Sequence, residues 1–331
     1  MEKNFGRPKV VASKCLGFDR CRYNGETINS PIVERLKEYV DFIPFCLEVD
    51  IGLGVPRDPI RLVLTGDDTR LVQPSTGRDV TELALSSAEK FLSSLEGVDG
   101  LILKSRSPSC GIKDVKLFPP GEKVAALSAS ERGFFAKEAI KRYGHLAIED
   151  EARLLNLRVG QHFLTKLFTL AEFRSVSEEG DQHGLMDFQA RHKLLLMYYN
   201  QREMREMGKI IANKGRLDMA QVLDSYAVHL SHALSRPPRC NSATNVLMHA
   251  MGYFSDKLGA GEKKAFLAEL DLYTKGKVPL TVPLGILNMW IVRFDEEYLE
   301  HQSFFLPFPE EFIEMMSNDA CGGRDLWRQV D

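Results

Sequence analysis

Six cysteines stand at positions 15, 21, 46, 110, 240 and 321, and three of them share a setting. Cys15 follows PKVVAS, Cys46 closes DFIPFC, and Cys110 lies in SRSPSCG, just past GLILKS. Each preceding run is apolar and short, the pattern of a buried β-strand. A cysteine used as core filler belongs inside such a run, whereas these stand at its end or just beyond it. In an open parallel sheet the carboxyl ends of the strands share one edge, and ligands bind there. Three thiols 31 and 64 positions apart in the chain would therefore meet in space. Thiolates are soft ligands suited to iron and to iron–sulfur clusters. A cubane cluster held by three cysteines leaves one iron without a protein ligand, and an open position marks a catalytic metal rather than a structural one, by analogy with zinc. Cys21, six residues past Cys15, is either a fourth ligand or a neighbour. Gly17, Gly52, Gly54 and Gly111 let the backbone come close and adopt positive φ, and their N–H groups suit cluster sulfides. The competing reading is three unremarkable cysteines at strand ends.

The elements that must position these residues follow an alternating rhythm. PKVVAS is a strand and CLGFDRCRYNGE a loop. SPIVERLKEYV is a helix with Ser30 as N-cap and Pro31 in its first turn. DFIPFC is a second strand, and EVDIGLGVPRDP a Gly/Pro loop. RLVLTGDDTRLVQP reads as a hairpin with GDD at its tip. DVTELALSSAEKFLSSLEG is an amphipathic helix closing at Gly97. GLILKS is a third strand, SRSPSCGIKDVKLFPPGEKVAA a long loop, and ASERGFFAKEAIKRYG another helix. After about residue 150 the strand signal fades. EDEARLLNLRVGQHFLTKLFTLAEF is helical, SVSEEGDQHG is a polar break, and FQARHKLLLMYYNQREMREMGKIIAN opens a series of helices. The expected fold is α/β, a Rossmann-like, mostly parallel sheet domain, followed by an all-α domain. The boundaries expected are 1–150 for the α/β domain, 151–184 for a helical connector and linker, 185–318 for the helical domain and 319–331 for a loose tail.

Composition narrows the class. The chain has 331 residues, 44% hydrophobic and 27% charged, with a formal net charge of −3; that balance excludes a uniformly basic nucleic-acid binder. The charge is uneven. Residues 187–264 hold 12 Lys and Arg against 7 Asp and Glu, and residues 265–331 hold 5 against 12. A locally basic middle suits a polyanion; two solvated faces are the plainer account. The N-terminus MEKNFGRPKVV lacks a signal-peptide apolar core, and no window approaches a membrane span, so a cytoplasmic location is expected. The cysteines are then expected to be reduced thiols or metal ligands. No CxxC occurs, which removes the zinc-ribbon and thioredoxin patterns. His229, His232 and His249 invite a metal reading, but no carboxylate motif accompanies them.

The motifs SKCLGFDRCRYNG, PFCLEVDIGLGVPR and KSRSPSCG together resemble the TudS-type thiouracil desulfidases. The resemblance runs over about residues 8–150 in three motifs in the same order, with Leu47 where that family usually has proline. FQARHKLLLMYYNQ and the following GRLD resemble the helical domain of YbgA-like proteins. The combination is similar to fused desulfidases, called RudS, that act on 4-thiouridine in transfer RNA. The resemblance implies a [4Fe–4S] cluster on Cys15, Cys46 and Cys110 with one iron unligated by protein, and Glu48 and Ser107 as catalytic side chains beside it. It implies that Cys21 is an additional cysteine and not a ligand.

The implied reaction exchanges a thiocarbonyl sulfur for oxygen, giving uridine and hydrogen sulfide without net electron transfer. The open iron would bind the sulfur as a Lewis acid, and Glu48 would handle protons of the attacking water. Ser107 would relay a proton or fix the base. A base within RNA must leave its stack to reach such a site, and phosphate contacts would supply affinity. The candidates are Arg191, His192, Lys193, Arg202, Arg205, Lys209, Lys214 and Arg216, with Lys193 and the 202/205/209 set near helical spacing. Tyr198 and Tyr199 suit stacking or, more simply, the core. Three alternatives stay open: a desulfidase of free thiouracil or thionucleosides, an iron–sulfur redox or sensor protein, and a binding protein with ordinary cysteines. Monomer and dimer also stay open.

Overall fold

Lys9–Ser13 (β1) reads KVVAS and is buried from its second residue onward. A strand covered on both faces is what a parallel sheet between helices requires. The computed structural model describes residues 5–312. The tail expected over 319–331, Cys321 within it, and residues 313–318 lie outside the described residues. In chain order the elements after β1 are Pro31–Leu36 (α1), Asp41–Phe45 (β2), Leu47–Asp50 (α2), Arg61–Thr65 (β3), Asp68–Gln73 (β4), Arg78–Asp79 (β5), Thr81–Ser93 (α3), Gly100–Leu103 (β6), Val115–Phe118 (β7), Ser128–Glu131 (β8), Phe134–Tyr143 (α4), Ala147–Asp150 (β9) and Leu157–Glu179 (α5). Then come Gln182–Ile211 (α6), Met219–Ala233 (α7), Cys240–Gly252 (α8), Ala260–Thr274 (α9), Thr281–Phe294 (α10) and Glu297–Glu300 (α11). The fold class is the expected one, α/β followed by all-α.

The described chain divides into two units: residues 5–172 with 310–312, and Phe173–Pro309. In the first, β2, β1, β6 and β9 form a four-stranded sheet, in that order and all parallel. The strand order reverses at β1, with β2 on one side and β6 on the other, and such a reversal opens a crevice at the carboxyl edge. Pro44 is tolerated in β2 because β2 is an edge strand. The Phe45 ring stacks on Phe91 of α3 at 3.8 Å and contacts Phe135 of α4 at 5.1 Å, which pins the last residue of β2.

The sequence did not reveal the second sheet, whose order is β5-β4-β3-β7-β8. The β3–β4 hairpin forms as expected, but β7 and β8 lie inside what reads as a long loop and a helix start. β7 joins β3 in parallel across more than fifty residues of chain, a partner that local pattern cannot announce. β9 was likewise not expected. α3 ends at Ser93, with Ser94 as its C-cap, rather than at Gly97. Ser30 does precede α1, but its side chain makes no capping bond.

The linker expected within 151–184 is a correction. SVSEEGDQHG is helical except at Gly180 and Asp181. α5 runs to Glu179, Gly180 takes φ +69°, and Asp181 caps α6 by accepting from the His183 and Gly184 amides at 2.6 and 3.1 Å. Polar helix-forming residues thus carry the helix almost through the break. In the second unit α6 is interrupted at Asn200 (φ −158°, ψ 98°), whose side-chain oxygen accepts from the Arg202 and Glu203 amides and starts the helix again. The Gln302 amide enters the α6 ladder, donating to Ala190 O and accepting from Leu194 N. Phe173, Phe188 and Tyr226 meet in the core of this unit.

Candidate active site

The three strand ends that face one edge each deliver a cysteine. Ser13 of β1 pairs with Phe45 of β2, so Cys46 follows directly on one strand and Cys15 two residues on along the other. Cys46 is the N-cap residue of the short helix α2, and the Asp50 amide donates to its carbonyl at 3.0 Å. Cys15 lies in a turn held by the Ile28 amide on its carbonyl at 2.7 Å. Beyond β6 the Lys104 amide donates to Ser13 Oγ at 2.9 Å, and the chain then turns back through 105–111 to place Cys110.

That turn is built tightly. Ser107 Oγ accepts from the Ser109 and Cys110 amides at 3.2 and 3.1 Å, and the Gly111 amide returns to Ser107 O at 2.8 Å. The opening of α4 locks onto it. Gly133, Phe134 and Ala136 donate their amides to the carbonyls of Gly111, Pro108 and Ser109 at 2.8, 3.1 and 3.2 Å, so the orphan donors of a helix start are satisfied by the cysteine turn. Glycine is required where the two backbones touch. A Cβ on Gly133 would stand 2.5 Å from the Ser109 carbonyl, and one on Gly111 would stand 2.8 Å from Ser107 O.

These segments enclose a cavity of about 420 Å³ lined by Cys15, Cys21, Cys46 and Cys110, together with Glu48, Arg57, Ser107 and Ser109. The structure thus brings together all five site residues expected in this domain. The described cysteines are free thiols. Hydrogen bonding with Cys15, and burial, push Cys21 up to about 11. Hydrogen bonding with Cys21, then burial, raise Cys46. Burial raises Cys110 to about 12, against a hydrogen bond from Ser13. The thiols therefore crowd one another in a low-dielectric place, where a cation among them would favour thiolates. The donor set fits a thiolate-bound cluster: three soft ligands at one edge, beside a cavity. Among the described residues no three His, Cys, Asp or Glu side chains close on a single ion; a cluster of several irons spreads its thiolates over separate metals.

Glu48 sits on α2, and its carboxylate is gripped from two sides. Arg57 donates Nε and Nη2 to Oε2 at 3.0 and 2.6 Å, and Ser109 Oγ donates to Oε1 at 2.9 Å. The Arg57 side chain is 4% exposed and that of Glu48 16%. Arg57 and Ser109 carried no role in the sequence reading, although the motifs PFCLEVDIGLGVPR and KSRSPSCG contain them. Ser107 faces the cavity, with its oxygen occupied by two amides and its hydrogen left to donate. Leu47, in the position of the expected proline, is buried in the core of this unit. Arg106 lines the cavity, is exposed, and holds a positive φ of 58°.

In the second unit Arg191, Lys193, Arg202, Arg205, Lys209, Lys214 and Arg216 are all exposed. His192 is a correction: it is buried at 3%, with Nδ1 2.7 Å from Ser303 Oγ. The run from Lys193 to Arg202 does not form one face, because the Asn200 break lies between them. Arg205, Lys209 and Lys214 border a second, open cavity of about 610 Å³ at the turn into α7. Lys209 also pairs with Glu206 at 2.8 Å. His229 is 2.6 Å from Glu203. Tyr198 and Tyr199 are half-buried, Tyr198 edge-on to Phe304. No described helix is long and apolar enough to cross a membrane.

Comparison with known proteins divides the chain in a similar way. Residues 10–151 match the family described as 2-thiouracil desulfurase, and residues 193–309 match a family described as protein of unknown function, DUF1722. The uncharacterized protein YbgA of Escherichia coli (strain K12) is 29% identical over 148 residues, 44% of this chain and 88% of YbgA. The uncharacterized protein YbbK of Bacillus subtilis (strain 168) is 35% identical over 109 residues, 31% of this chain and 72% of YbbK. Among solved structures, the [4Fe–4S]-dependent thiouracil desulfidase TudS aligns with 45% of this chain and 93% of its own, at 27% identity and a TM-score of 0.36.

Proposed function

The chain belongs to the 2-thiouracil desulfurase family, joined to a DUF1722 domain, and from that premise we propose that it replaces the sulfur of 4-thiouridine in transfer RNA by oxygen. The observation that carries this reading is the convergence of Cys15, Cys46 and Cys110 beside Glu48 on one sheet edge, around one cavity. The three cysteines would hold a [4Fe–4S] cluster with one iron free of protein ligands. When bound, that cluster supplies a thiophilic Lewis acid for the thiocarbonyl sulfur. Glu48 accepts a proton from the attacking water on Oε1, the oxygen that Arg57 does not hold. Ser107 offers its O–H to the substrate from a turn that fixes its oxygen. Water adds its oxygen to the ring carbon, the sulfur leaves with two protons as hydrogen sulfide, and no electron donor enters the balance.

The exposed cations of α6 and of the turn into α7, Arg202, Arg205, Lys214 and Arg216 above all, support an RNA partner for the second unit. A cytoplasmic setting, where thiols stay reduced, suits the site. Free thiouracil or a thionucleoside is the second reading, favoured by a cavity whose lining comes entirely from the first unit. The test is anaerobic incubation of the iron-loaded chain with thiolated tRNA and, separately, with free 4-thiouridine, following the thiocarbonyl absorbance. Turnover of tRNA at the lower KM supports the first reading. Turnover of the small compounds alone supports the second.

A further inference from the structure

The hydroxyl in contact with the Glu48 carboxylate is Ser109, and the cation in contact with it is Arg57. Ser107, two residues earlier, spends its oxygen on backbone amides instead. An ionised carboxylate has about four acceptor positions. Arg57 fills two on Oε2 and Ser109 one on Oε1, which leaves one position on Oε1 for a molecule in the cavity. The Arg57 side chain is nearly fully buried, and its other donors reach the Gly54 and Cys21 carbonyls at 2.8 and 3.0 Å. Its own amide donates to Tyr23 O at 2.8 Å. One guanidinium therefore ties together the loop after β1, the helix α2 and the loop that follows it. Both donors on one oxygen need the planar fork of arginine; a lysine ammonium would act as a point charge and leave the carboxylate free to turn.

We propose that Arg57 and Ser109 are positioning residues that hold Glu48 with Oε1 presented to the cavity, a role that rests on the desulfidase reading above. A buried ion pair is weak evidence for stability and suits a geometric task better. The clamp spans 61 residues of chain between Glu48 and Ser109, so it closes only in the folded domain, and it closes on the one carboxylate among the cavity residues beside the cysteines.

The test uses the full chain, reconstituted anaerobically, with 4-thiouridine as substrate. Partners that orient an active group typically contribute about 10–100-fold. Arg57→Lys is expected to lower kcat about 10-fold with KM within two-fold, and Arg57→Ala about 100-fold, with restoration toward the Lys value marking the charge. Ser109→Ala is expected to lower kcat by about 10-fold and to keep the full iron content. Arg57→Lys and Ser109→Ala both turning over at the wild-type kcat would overturn the proposal, whatever Arg57→Ala does. A second readout needs no turnover. In thermal unfolding of the iron-loaded full chain, the losses from Glu48→Ala and Arg57→Ala are expected to be non-additive, because each removes the same contact; additive losses would also overturn it. A wild-type holoprotein that leaves every thiolated uracil unchanged removes the desulfidase reading, and this proposal with it. An active wild type with indifferent variants removes the clamp alone.

Discussion

Glu48 presents one committed oxygen and one available oxygen, and its response to substitution follows from that division. Glu48→Gln keeps the volume and loses the base. Iron content should stay at the wild-type level while turnover of 4-thiouridine falls roughly 10²–10⁴-fold; an active, loaded Glu48→Gln protein would reassign the base. Arg106 behaves differently because it is exposed at the cavity and has no carboxylate partner among the described residues. Arg106→Ala should raise KM for a thionucleotide with a 5′-phosphate by about 10-fold, the loss of one charge-assisted contact, and leave kcat within about two-fold. Steady-state kinetics on nucleoside and nucleotide side by side check this, since the nucleoside should be indifferent. The meeting of Cys15, Cys46 and Cys110 at one edge was legible because each follows a strand, whereas Glu48 and Ser107 entered only through the family resemblance of the motifs that hold them. Arg57 and Ser109 were not, because their meaning lies in partners 9 and 61 residues away. His192 differs from its expected place among the exposed cations for a related reason: its position on a basic helix says nothing of Ser303, 111 residues on.

At the scale of elements, the site depends on a parallel sheet that ends in register and on α4, whose first amides hold the cysteine turn. Gly133 is where the two meet. Gly133→Ala places a methyl 2.5 Å from the Ser109 carbonyl, and overpacking of this kind costs about 1–3 kcal/mol. Thermal unfolding should record that loss, and iron retention should fall with it; an unchanged Tm would mean that the turn and helix are not locked together. β1, β2 and β6 could be read from their apolar runs. β7 and β8 could not, because VKLF becomes a strand through β3, far back in the chain, and SASE only by pairing with β7 once β7 is in place. The polar stretch SVSEEGDQHG resembles a linker because polarity resembles loop, yet its first half ends α5, since Glu-rich residues propagate a helix well, and Gly180 with Asp181 suffices for the break.

For the whole molecule, the proposed function puts chemistry in the first unit and RNA affinity in the second. Reversing charge at Arg205 and Lys214 should weaken tRNA binding and flatten its salt dependence by about one unit of log–log slope per lost phosphate contact. Turnover of free 4-thiouridine should not change. Anisotropy of labelled tRNA over a salt series measures the first expectation, and an unaltered slope would take these cations out of the interface. The uneven charge of the chain, legible from composition, pointed toward this surface, but the Asn200 break that divides α6 lay beyond a helical spacing count.

On the proposed function, Cys15, Cys46 and Cys110 serve a desulfidation that needs no electron donor. Its sharpest check is the hydrogen sulfide released per thiocarbonyl lost when the anaerobically reconstituted chain meets 4-thiouridine-containing tRNA with no reductant. The expected result is one hydrogen sulfide per uridine formed, with neither iron colour nor turnover for Cys110→Ser. A wild-type protein loaded with iron and sulfide that leaves the thiouridine absorbance untouched, or one equally active without iron, would contradict it.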